Sequence, residues 1–177
     1  GKFSKTTGLT SDTNCTKCLI GKYSDQKGLT SADKCKRCKG GRWSNKTGLA
    51  SGAKCTPCEA GYYSSGEGKK TIGTCKSCDA GTFQDVPGSI QCDVCPSGQY
   101  QNELASTNCT LCPPGTINLD NGNLVSEHTE VSKCTECTLS RYSGSTRESC
   151  LDCPGGWRID TNNNDSCIGC AVGRKSE

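Results

Sequence analysis

The chain has 177 residues, a formal net charge of +3, no Met, two Phe, two Trp and 18 Cys. So few large apolar side chains exclude the single packed core that a globular domain of this length needs. Cysteine at about a tenth of the residues is the level of disulfide scaffolds from oxidising compartments, so an extracellular or cell-surface address is expected. The small charge excess has one dense run, Lys34, Lys36, Arg37, Lys39 and Arg42. It reads as a solvated face, because the aromatics that a nucleic-acid surface would interleave with it are tied to another period; no nucleic-acid partner is expected. No stretch approaches the ~18 apolar residues of a membrane span, so this segment is not expected to insert. Lacking an initiator Met and opening and closing part-way through a repeat, the chain reads as a mature or excised piece of a longer protein.

From the N-terminus onward, one unit recurs. All eighteen cysteines fall into nine CxxC pairs, at 15/18, 35/38, 55/58, 75/78, 92/95, 109/112, 134/137, 150/153 and 167/170. Successive pairs start 20, 20, 20, 17, 17, 25, 16 and 17 residues apart, the signature of a tandem array. Gly1, Phe3 and Ser4 fit a truncated leading repeat. Three residues after each pair comes Gly21, Gly41, Gly61, Gly81, Gly98, Gly115, Gly156 or Gly173, with Ser140 the exception. Two residues further stands an aromatic, Phe3, Tyr23, Trp43, Tyr63, Phe83, Tyr100 or Tyr142, with Ile117, Arg158 and Lys175 departing. Seven of nine aromatics at one slot point to a packing role, over a disulfide or between modules, where sulfur–ring contacts are worth about 0.3 to 1.5 kcal/mol.

Loops rich in Gly, Ser, Thr, Asn and Asp follow each aromatic and favour turns over helix. The steps Gly8-Leu9, Gly28-Leu29 and Gly48-Leu49 suggest short hairpins, each with its Leu as the one buried aliphatic. The glycine after each pair is expected at positive φ, letting the chain turn tightly behind the cysteine. Residues 1–115 form the regular array, 116–133 a long irregular insertion loop, and 134–177 a less regular continuation. The expected fold class is small and disulfide-rich: an elongated tandem array of short β-hairpin and turn modules with little or no helix.

Several chemistries are weighed and set aside. Neighbouring CxxC pairs have tetrathiolate zinc spacing, yet nine pairs do not divide into four-cysteine sites and the lone histidine is His128. Neither a metal nor a cofactor is expected. Asp160-x-Asn162-x-Asn164 resembles the start of an EF-hand, but Asp165 and Ala171 stand where its Gly and Glu belong, so a turn is the reading. His128, beside Glu127 and Glu130, has no nucleophile or second histidine to work with, and no enzymatic activity is expected. Sequons occur at Asn14, Asn45, Asn108 and Asn164; Asn45 is the best placed, since Cys15 and Cys109 occupy the middle positions at Asn14 and Asn108.

The CxxC pair, the Gly-x-aromatic-Ser that follows and the Gly-containing loop resemble the ephrin-receptor-like cysteine-rich repeats, themselves similar to tumour-necrosis-factor-receptor-type modules. The resemblance implies stacked small β modules in an elongated rod. It also implies that the second cysteine of one pair bonds the first of the next: Cys18–Cys35, Cys38–Cys55, Cys58–Cys75, Cys78–Cys92, Cys95–Cys109, Cys112–Cys134, Cys137–Cys150 and Cys153–Cys167. Cys15 and Cys170 then bond further repeats or a neighbouring chain, or stay reduced. A rival scheme joins the two cysteines within each pair and uses every thiol. Two functions are carried forward. One is a structural repeat segment of a long extracellular glycosylated rod or filament, with copies of itself or further repeats as partners. The other is a receptor ectodomain segment whose stretch 116–133 contacts a ligand.

Overall fold

The computed structural model describes residues 1–138, 141–162 and 164–171. Within them there is no α-helix, and the β structure consists of nine two-stranded antiparallel hairpins in tandem. One strand of each follows the slot of the repeat glycine, a glycine in all but hairpin 8; the other lies at the next CxxC pair. Hairpin 1 pairs Lys2–Phe3 with Thr16–Lys17, hairpin 2 Lys22–Tyr23 with Lys36–Arg37, and hairpin 3 Arg42–Trp43 with Thr56–Pro57. Hairpins 4, 5 and 6 pair Tyr62–Tyr63 with Lys76–Ser77, Thr82–Phe83 with Asp93–Val94, and Gln99–Tyr100 with Thr110–Leu111. Hairpins 7, 8 and 9 pair Thr116–Ile117 with Thr135–Glu136, Arg141–Tyr142 with Leu151–Asp152, and Trp157–Ile159 with Cys167–Gly169. Ser140, Gly173 and Lys175 of the repeat pattern lie outside the described residues.

The chain divides into two compact units, residues 1–78 with 84–92, and 79–83 with 93–177. The first holds hairpins 1 to 4 and the loop of hairpin 5; the second holds the strands of hairpin 5 and hairpins 6 to 9.

Making the middle of CxxC a strand decides where its sulfurs go. In an extended chain, residues three apart point to opposite faces and their Cα atoms stand about 10 Å apart, beyond the roughly 4.4 to 6.8 Å that a disulfide spans. The two cysteines of a pair therefore cannot bond each other; one serves the hairpin behind and one the hairpin ahead. Eight disulfides join Cys18–Cys35, Cys38–Cys55, Cys58–Cys75, Cys78–Cys92, Cys95–Cys109, Cys112–Cys134, Cys137–Cys150 and Cys153–Cys167, with Cα–Cα distances of 5.6 to 6.0 Å. Each closes the loop of one hairpin at its base. A two-residue strand pair is marginal by itself in water, and loop closure of this size contributes about 3 kcal/mol on the chain-entropy account.

The Gly-Leu steps sit elsewhere than a hairpin apex. They lie in the loop between the two strands, and that loop folds back on the preceding hairpin. The Ser4 N–H donates to the Leu29 carbonyl and the Ser24 N–H to the Leu49 carbonyl, both at 2.9 Å, with Tyr23 bridging Leu49 in parallel. Leu29 and Leu49 are buried there. Phe3 packs on Leu29 and the Cys18–Cys35 bridge, and Tyr23 on Leu49 and the Cys38–Cys55 bridge. An aromatic over a disulfide and an aromatic between modules are thus one arrangement, because the disulfide it covers belongs to the next hairpin. Trp43, Tyr63, Phe83, Tyr100 and Tyr142 hold the same strand position and are half-buried, while Ile117 is buried in that slot of hairpin 7.

Contacts reach beyond the nearest neighbour. Gly41 opens hairpin 3 at φ +74, and a Cβ there would overlap the Gly88 carbonyl in the loop of hairpin 5; Gly98 of hairpin 6, also at +74, meets the Thr146 carbonyl of hairpin 8 in the same way. Glycine is required on two independent counts: the left-handed backbone, and the carbonyl of the second module ahead, which occupies the space of a side chain.

The change of period from 20 to 17 residues also has a structural cause. In the long modules a three-residue 3-10 turn precedes the second strand, as at Ala32–Lys34 and Gly52–Lys54. Hairpins 5 and 6 lack it, which removes the three residues. The residue after the aromatic changes with it. Ser24 and Ser44 accept an N–H two residues on, from Gln26 and Lys46, at 3.1 Å. In the short modules Gln84 and Gln101 stand there, and each amide both accepts from the N–H two residues on and reaches across the narrowed loop to donate to the Gln91 or Asn108 carbonyl.

Candidate functional site

Three features stand outside the repeating framework: the insert in hairpin 7, the two unpaired thiols and the four sequons.

The insert folds onto its own unit. It begins after Thr116–Ile117 and carries two 3-10 turns, Val125–Glu127 and Val131–Lys133, the second being the turn that precedes the CxxC strand in the long modules. Added length therefore lies between Asn118 and Glu130. The centre of that stretch is His128, whose side chain is completely buried. Its main-chain carbonyl accepts the Gln101 N–H at 2.8 Å, the role that Leu29 and Leu49 play in the first unit. Its ring lies between two oxygens, with Nδ1 2.7 Å from the Gln99 carbonyl and Nε2 3.0 Å from Asp120 Oδ2. Asn118 stands at the slot of Gln84 and Gln101; its Oδ1 accepts the Asp120 N–H and its Nδ2 donates to the Glu127 carbonyl at 2.7 Å. Asp120 Oδ2 also accepts the Asn123 and Leu124 N–H groups at 2.8 and 3.0 Å. The Leu124 N–H, with help from His128 and Asn123, holds the Asp120 carboxyl below the usual carboxylate range. Sequence reasoning leaves His128 without a role, since an isolated histidine in a polar loop gives no sign of burial. The slot of Asn118, one residue after the aromatic position, is the signal that was available.

Cys15 and Cys170 are the unpaired cysteines among the described residues, and both are half-buried. Cys15 borders a cleft with Phe3, Leu9, Asp12 and Leu29. The remaining sixteen sulfurs are oxidised, which leaves no thiolate among them for a metal. Asn14, Asn45, Asn108 and Asn164 are all exposed. Asp160 leads into a turn at Thr161 and Asn162, its Oδ1 accepting the Asn162 N–H at 3.0 Å and its carbonyl the Asn164 N–H at 2.8 Å. Arg147, at φ +59 and buried, donates to the Cys112 and Gly144 carbonyls and pairs with Asp165 at 3.1 Å, anchoring hairpin 8 within its unit.

Tandem hairpins, each closed by a disulfide and carrying at most a small apolar cluster, define a cysteine-rich repeat protein. Residues 69–112 and 88–122 match the family described as tyrosine-protein kinase ephrin type A/B receptor-like. The matched stretch is similar to ephrin-receptor-like cysteine-rich repeats, and hairpins closed by the same disulfide pattern recur from Cys18 to Cys167. No curated protein matches it. Among the described residues no helix is long and apolar enough to cross a membrane.

Proposed function

We propose that this chain is a structural, non-enzymatic repeat segment of a long extracellular filament, stalk or matrix fibre. The observation that carries the reading is that modules are joined by main-chain hydrogen bonds repeated at fixed positions. In the first unit the N–H groups of Gly21, Gly41 and Gly61 donate to the carbonyls of Ser44, Ser64 and Gln84, at 2.7 to 2.8 Å. In the second, those of Gly81 and Gly98 donate to Gln101 and Asn118 at 2.7 and 2.8 Å. Backbone-encoded stacking tolerates side-chain variation and adds modules without redesign, which suits repeat proteins that bear load. Cys15 and Cys170 are available to bond further repeats or a neighbouring chain, and Asn45, Asn164, Asn14 and Asn108 to carry glycans.

A second reading, a ligand-contacting receptor ectodomain, draws on the insert, since an ordered irregular loop on a rigid scaffold is where binding residues collect. Electron microscopy of the purified protein over a range of concentrations separates the two. Filaments or end-joined multimers that collapse on reduction support the structural reading; monodisperse particles at every concentration overturn it.

A further inference from the structure

The ring of His128 has an acceptor at each nitrogen. A carbonyl oxygen has no hydrogen to give, so at 2.7 Å from the Gln99 oxygen Nδ1 must be the donor. Asn118 Nδ2, 3.3 Å from the same nitrogen, gives one of its two hydrogens to the Glu127 carbonyl at 2.7 Å, and the closer Gln99 oxygen decides the Nδ1 contact. The other nitrogen faces Asp120 Oδ2, which already accepts two backbone N–H groups and so is ionised; only an N–H at Nε2 makes that contact attractive. A neutral ring can satisfy one of the two oxygens, and would set a nitrogen lone pair against the other.

We propose that the insert is a clasp operated by a proton: an imidazolium at His128 holds it on hairpin 6, and loss of that proton releases it. The charged group meeting the ring is Asp120, from the insert itself. Hairpin 6 contributes the uncharged Gln99 carbonyl, and the neighbouring Glu127 turns outward to Lys133 at 3.6 Å. When the ring proton leaves for solvent, the Asp120 carboxylate loses its counter-charge and the Nε2 contact becomes repulsive. The attachment that fails with it is the main-chain bond from the Gln101 N–H to the His128 carbonyl. The device is closed in mildly acidic surroundings and opens as the medium turns alkaline. It is bounded on the acid side by protonation of Asp120, below the ordinary carboxylate range.

The test is NMR on the full chain. At about pH 5 the two ring nitrogens of His128 should both carry hydrogens, and between about pH 5 and pH 9 the protection factor of the Gln101 amide should fall by about tenfold or more. The Ser44 amide, bonded to the Lys69 carbonyl at 3.0 Å in the other unit, should keep its protection. In His128→Gln the pH step at Gln101 should disappear. A single protonated ring nitrogen at about pH 5, or a Gln101 protection that tracks Ser44 across the range, overturns the proposal. If His128→Gln leaves Gln101 unprotected at every pH, the ring-nitrogen spectrum of the unaltered protein decides by itself.

Discussion

Hairpins 3 and 6 make the same contacts from different lengths of chain. Hairpin 3 spends three extra residues on the 3-10 turn Gly52–Lys54, capped where Ser51 Oγ accepts the Ala53 N–H at 3.2 Å, and needs only a serine after its aromatic. Hairpin 6 omits the turn and spans the gap with the amide of Gln101. In both, the strand pair, the disulfide and the glycine facing the second module ahead are unchanged. Module length is thus absorbed in the loop between the two strands, and hairpin 7 extends the same licence by adding residues within its loop. The surfaces that modules show one another are the constrained part.

The largest effect should come from removing a bridge. Cys38→Ser with Cys55→Ser, and Cys95→Ser with Cys109→Ser, should each lose about 3 kcal/mol, because loops of 17 and 14 residues differ little in closure entropy. Chemical denaturation of the two variants would show it; a large gap between them would mean that long and short modules are not equivalent. Next comes Gly41→Ala, which meets both a positive φ and the Gly88 carbonyl. It should destabilise by about 2 to 4 kcal/mol, against about 1 kcal/mol for Gly28→Ala, whose φ is +71 but whose Cβ position is open. Thermal melts of the pair isolate the packing contribution. Gln101→Ala should lose about 1 to 2 kcal/mol, since it leaves the Glu103 N–H and Asn108 carbonyl without their bridge, whereas Ser64→Ala, whose buried Oγ has no partner among the described residues, should be neutral within about 0.5 kcal/mol.

The smallest effects are electrostatic. Lys2 lowers Asp12, and Lys36 lowers Asp25, through surface hydrogen bonds. A carboxyl whose folded-state pKa is lowered contributes stability above its unfolded value, and this is lost as pH falls through the folded one. Acid titration followed by circular dichroism should therefore show the first unit losing this contribution only below the ordinary carboxylate range. Asp25→Asn should shift the midpoint barely at all, as exposed pairs do.

Much of this was open to reading in the sequence. The glycine at positive φ, the aromatic slot and the absence of α-helix follow from spacing and composition, since each reflects a local backbone demand repeated in every module. The three-residue difference between periods was visible too, though not that it equals one 3-10 turn exchanged for a glutamine amide. Burial of His128 was hidden because one partner, Gln99, lies on a strand of the preceding hairpin, and nothing in a loop's composition says which neighbour it folds onto.

By itself the chain's order of residues determined that stability would come from sulfur and that the molecule would be built of short β modules, because too few apolar side chains exist for any other solution. Tertiary structure alone decided the rest. Placing the middle of each CxxC in a strand turns its two sulfurs to opposite faces and bars them from each other. Folding each loop back over earlier modules brings the Gly88 carbonyl to Gly41 and the His128 ring to the Gln99 carbonyl, meetings set by the path of the backbone through space.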